Sequence, residues 1–65
     1  MIGQGFRQAR LRKGVSVLEA AKALGVTDAC IYQWETGISI PRGSRLKEIA
    51  DYYGVTIEFL LTGGN

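Results

Sequence analysis

Apolar side chains recur three and four positions apart almost from end to end of this chain. Ile2, Phe6, Ala9 and the stem of Lys13 share one face, and Val17, Ala20, Ala21 and Leu24 share another. Ile31 and Trp34 point one way, with Cys30 at the edge of that face. Leu46, Ile49, Ala50 and Tyr53 form a later stripe, and Phe59 and Leu60 fall in a short last segment. At about 100° per residue these are helical spacings. No stretch makes a convincing strand, so the pattern predicts an all-α chain of five short helices.

Caps and breakers punctuate the same elements. Gly14 ends the first helix, whose opening turn is a poor one because it holds Gly3 and Gly5. Ser16 and Glu19 have capping-box spacing, and Val15 just before them can staple against Ala20. Gly25 suits the left-handed position that closes a helix, and Thr27 restarts the chain as an N-cap. The helix that follows, over 28–36, stops at Gly37. Pro41 closes the loop before the fourth helix, Gly54 ends that helix, and Thr56 caps the last.

The second and third helices are joined so tightly that they can cross at a steep angle, and Ala20 and Ala21 let a crossing helix come close. The third then carries an outward row of Asp28, Ala29, Tyr32, Gln33 and Thr36, groups able to touch base edges in a DNA major groove. An ordinary amphipathic hairpin is the alternative reading of this pair.

Length and composition bound the rest. Sixty-five residues allow one domain, over 1–65, with one small core. The single cysteine excludes an internal disulfide and suits a reducing, cytoplasmic setting. No apolar run approaches the roughly 18 residues of a membrane span, and the opening segment lacks a signal peptide's apolar stretch. Residues 63–65 read as a frayed end or the start of a linker. Net charge is only +2 but uneven: Arg7, Arg10, Arg12 and Lys13 precede the first acidic residue, Glu19, while Glu48, Asp51 and Glu58 gather later. That asymmetry favours an anionic partner near the N-terminal half; a solvated helix face accounts for it equally.

The combination of residues resembles the Cro/repressor helix-turn-helix family of phage and bacterial transcription regulators over nearly the whole chain. The signature runs Phe6-Arg7-Gln8-Ala9-Arg10, Lys13-Gly14-Val15-Ser16, Ala21 and Leu24-Gly25-Val26-Thr27. It continues through Ile31, Trp34-Glu35-Thr36-Gly37, Pro41, Leu46, Ile49-Ala50, Gly54-Val55 and Phe59-Leu60-Leu61. The resemblance implies a compact five-helix, lambda-repressor-like domain with its third helix in the major groove. It also implies an ion pair between Arg10 and Glu35, and a two-fold homodimer formed around the last helix, with Ile57 and Leu61 as interface candidates and Phe59 as core.

By position, Asp28, Ala29, Tyr32 and Gln33 are the base-reading candidates. Gln33 can pair bidentately with adenine, Ala29 can touch a thymine methyl, and Asp28 can accept from cytosine or serve the helix dipole instead. Tyr32 can lie against sugar and phosphate. Thr27 and Thr36 can donate to phosphates, with Arg10, Arg42 and Arg45 as cationic contacts. Two features depart from the family pattern. Val17 stands where a phosphate-anchoring glutamine is common, and the loop after the third helix reads Gly37-Ile38-Ser39-Ile40-Pro41 instead of basic. At least one of Ile38 and Ile40 is expected to fold under that loop against Trp34; if exposed, they suit a protein partner.

Enzymatic activity is not expected. There is no histidine, no cluster of metal ligands and no phosphate-cradling loop, and Cys30 has no evident base beside it. No cofactor is implied. The rival to a DNA-binding regulator, acting most simply as a repressor, is a protein-interaction module on the same fold, antitoxin-like or anti-repressor in kind.

Overall fold

Five helices account for most of the 3–63 stretch that the computed structural model describes: α1 (Gly3–Lys13), α2 (Val17–Leu24), α3 (Asp28–Thr36), α4 (Gly43–Tyr53) and α5 (Ile57–Thr62). There is no strand among the described residues. Ile2, Gly64 and Asn65 lie outside them, so the place of Ile2 on the first apolar face is not described; Gly63 closes α5, its amide donating to Phe59 O at 2.8 Å.

The helix starts follow the side-chain chemistry of their caps. Ser16 Oγ accepts the Glu19 amide at 3.0 Å while Glu19 Oε1 accepts the Ser16 amide at 2.9 Å, a complete capping box. Thr56 Oγ1 accepts the Phe59 amide at 3.0 Å. At α4 the N-cap is Arg42, which makes no side-chain cap bond.

The apolar stripes converge on one core of Phe6, Ala9, Ala20, Ala21, Ile31, Trp34, Ile49, Ala50, Tyr53 and Leu60. Phe6 and Trp34 meet with ring centroids 6.2 Å apart, joining α1 to α3. Phe59 is half-buried against this core, and Val15, Val17, Leu24 and Leu46 pack around it.

Gly3 and Gly5 have a purpose that helix propensity misses. A β-carbon on Gly3 would stand 2.1 Å from Glu35 O, and one on Gly5 would stand 2.1 Å from Leu60 O. The first turn of α1 is therefore wedged against the backbones of α3 and α5, and only glycine lets it come so close. The poor intrinsic propensity of that turn is offset by contact.

The loop after α3 corrects one expectation. Neither isoleucine folds under it: Ile38 is 77% and Ile40 47% exposed. The chain turns at Gly37, and the amides of Ile38 and Ser39 both donate to Gln33 O, at 3.0 and 3.3 Å. That holds Ser39 partly inward and Ile38 out, while Phe6 and the rest of the core already cover Trp34.

Candidate nucleic-acid interface

The α2–α3 pair is held from both ends. Gly25 adopts φ 70°, ψ 32°, a left-handed conformation that strains any residue with a β-carbon, and the Val26 amide donates back to Ala21 O at 2.9 Å. Thr27 Oγ1 then accepts the Cys30 amide at 3.2 Å, setting the first turn of α3. Arg45, from α4, donates to Leu24 O at 2.8 Å and so satisfies a carbonyl left open at the end of α2.

The inward side of α3 is fixed by Ile31 and Trp34, both buried, and by Glu35. Arg10 Nε donates to Glu35 Oε2 at 2.6 Å, Nη2 to Oε1 at 3.1 Å and Nη1 to Val15 O at 3.2 Å. The two side chains are 13% and 6% exposed. The hydrogen bonds to Glu35 raise the Arg10 pKa, outweighing the effect of its burial, so the guanidinium stays charged.

With that side anchored, Asp28, Ala29, Tyr32, Gln33 and Thr36 all face solvent. The Gln33 side chain makes no hydrogen bond to a described residue, leaving both its donor and its acceptor free. Asp28 Oδ1 accepts the Ala29 amide at 2.9 Å, so this carboxylate serves the start of its own helix. Tyr32 stands 54% exposed in the middle of the row.

A helix-turn-helix family profile matches residues 6–60, from Phe6 in α1 to Leu60 in α5. The chain belongs to the Cro/C1-type helix-turn-helix family. No curated protein and no solved structure matches it. The family is one of DNA-binding regulatory domains, so the pair α2–α3 is the helix-turn-helix itself and α3 its second helix.

The geometry of this helix-turn-helix domain sorts the phosphate candidates. Thr27 Oγ1 accepts a hydrogen bond as a cap, and its O–H donates to no described residue. Thr36 does not: its hydroxyl donates to Tyr32 O at 2.9 Å and lies 3.3 Å from Gln33 O, back within the helix. Arg10 is engaged by Glu35 and Val15 and nearly out of solvent, whereas Arg45 donates to Leu24 O, with Glu48 3.8 Å away, and keeps 43% of its side chain exposed. Arg42 is exposed and unpaired among the described residues. Two exposed cations of α1 lie over aromatic rings. Arg12 lies 5.0 Å over the Phe59 ring and Lys13 4.6 Å over Tyr52. Arg7 makes no such contact among the described residues.

Sequence reasoning passed over Arg7 and Leu18 as site residues. Both line an open cleft of 570 Å³ between α1, the start of α2 and α3, together with Val17, Tyr32 and the Arg10–Glu35 pair. The helical period of α2 contained the signal: Leu18 falls away from the Ala20–Ala21 stripe and so must face solvent. No pattern in the sequence indicates that Arg45 bonds to Leu24.

Proposed function

We propose that this helix-turn-helix domain is a sequence-specific transcriptional repressor that reads the major groove of double-stranded DNA with α3. The observation that carries the proposal is the outward row of α3, in which the Gln33 side chain, beside Ala29 and Tyr32, makes no hydrogen bond to a described residue while the opposite face is locked by Trp34 and the Arg10–Glu35 pair. Gln33 pairs with an adenine, Ala29 lies against a thymine methyl, and Asp28 accepts from a cytosine amino group in addition to its bond within the helix. Tyr32 packs beside them on base or sugar. Thr27 and Arg42 hold the phosphates, and Arg7 adds charge at the edge.

In this reading the domain acts as a homodimer. Ile57 and Leu61 stand 38% and 41% exposed on α5, apolar side chains that a two-fold partner would cover. Symmetry then places the two recognition helices in successive major grooves, about 34 Å apart. Repression needs nothing beyond occupancy of a site that polymerase must use. The setting is the cytoplasm of a bacterial cell, where chromosome and phage DNA are exposed to it.

Selection of bound sites from a random duplex library at low salt tests the proposal. A recovered motif with two-fold symmetry and half-sites one turn apart is the expected result; recovery of no motif overturns it.

A further inference from the structure

The reading of α3 leaves the adjoining cleft without a role. It is lined by Val17, Leu18 and Tyr32, by the hydroxyl residues Ser16 and Thr36, and by Arg7 and the Arg10–Glu35 pair. Leu18 is 68% and Tyr32 54% exposed, so the two largest walls face solvent. Glu35 is neutralised by Arg10, whereas Arg7 has no ion-pair partner among the described residues. The cleft thus presents an apolar surface and one uncompensated positive charge.

The side chains of Leu18 and Val17 offer a phosphate no donor, which leaves it only the amides at the start of α2. A protein segment gains on both counts, since its apolar side chain loses water against Leu18 and Tyr32 while its carboxylate meets Arg7. The cleft is open along one side, a shape that accepts a side chain projecting from a larger body and would leave a small ligand half-solvated.

We infer that this cleft docks a protein partner that presents a leucine- or phenylalanine-sized side chain within one helical turn of a carboxylate, and that such a partner excludes DNA. The exclusion rests on the reading of α3 as the DNA-reading helix: Tyr32 belongs both to the cleft and to the outward row, so a body seated on one obstructs the other.

The test uses a phage-displayed library of random short peptides panned on the whole chain, with the selected peptides then measured by fluorescence anisotropy. The peptides share a leucine or phenylalanine next to an aspartate or glutamate. Leu18→Ser and Arg7→Ala each weaken their binding at least about tenfold, the scale of an interface hot spot. Lys47→Ala, on the exposed face of α4, does not. An excess of the duplex recovered by site selection displaces them. Both site variants keep the wild-type melting temperature, because both side chains are exposed. Peptides without that motif, or insensitive to Leu18→Ser, overturn the inference. So does a result in which no peptide is enriched while Leu18→Ser and Arg7→Ala weaken DNA binding, which assigns the cleft to the sugar–phosphate backbone. The peptide measurement needs no DNA, so its failure is distinct from failure of the DNA-binding reading.

Discussion

Arg10 and Glu35 lie twenty-five positions apart and share two hydrogen bonds, at 2.6 and 3.1 Å, with both side chains almost out of solvent. The pair joins α1 to the inward edge of α3, directly behind the side chains that face outward. Its location matters more than its own strength. A buried ion pair contributes little net stability, but a buried charge left without its partner is costly.

Glu35→Ala therefore destabilises the domain by on the order of 3 kcal/mol, since Arg10 stays charged and loses two acceptors. For a chain of this size that lowers the melting temperature by more than about 10 °C. Thermal unfolding followed by circular dichroism reads this directly, and an unchanged midpoint would show that the pair contributes nothing to the fold.

The two wedged glycines give a prediction whose sign separates two effects. Helix propensity alone says that Gly5→Ala stabilises by up to about 1 kcal/mol. The 2.1 Å approach to Leu60 O says that α5 must shift, at a cost of roughly 1–3 kcal/mol. The contact wins, so Gly3→Ala and Gly5→Ala destabilise. Gly43→Ala, which meets nothing within 4 Å, leaves stability unchanged or improves it. Denaturant midpoints of the three variants check the order.

Much of this architecture can be read from the residues. The stripes through Phe6, Ala20, Ile31, Ile49 and Leu60, the capping box at Ser16 and the stops at Gly25 and Gly37 all depend on local spacing, which a sequence displays. What escaped depends on tertiary contact. Gly3 and Gly5 look like weak helix formers until α3 and α5 are seen lying against them. Arg45 looks like a free cation until its distance to Leu24 O is known. Ile38 looks like a candidate for burial until Phe6 is found beside Trp34. At the candidate interface, the outward row follows from the helical period of 28–36 and the Arg10–Glu35 pair from the family resemblance, whereas the engagement of Thr36 and Arg45 within the fold follows from neither.

Tyr53 gives the domain a weakness at alkaline pH. Burial first, and the negative charge of Glu35 second, push its pKa up from 10.0 to about 12. The group is neutral when protonated, and its folded pKa lies above the unfolded one. Its contribution is therefore complete below pH 10 and is lost as the pH rises toward 12, by up to roughly 2–3 kcal/mol. Tyr53→Phe flattens that decline between pH 10 and 12, seen as a smaller drop in urea midpoint.

Salt dependence should be shallow. With Arg10 held inside the fold, Arg45 bonded to Leu24 O and Arg12 and Lys13 over aromatic rings, at most about four phosphates are neutralised per subunit. The slope of log affinity against log salt is then no steeper than roughly −0.9 times four per subunit. Titration of a selected duplex against sodium chloride measures it, and a much steeper slope would require more than about four cationic contacts per subunit.

The central claim is that the outward row of α3 reads base edges, and Gln33 tests it most directly. Binding of the wild type and of Gln33→Ala is measured on a selected operator and on duplexes altered at each base pair of the half-site in turn. The account predicts that the substitution costs about 1–3 kcal/mol on the operator and abolishes discrimination at a single base pair, leaving the other positions as they were. An equal loss on every duplex, with discrimination intact at all positions, would contradict it.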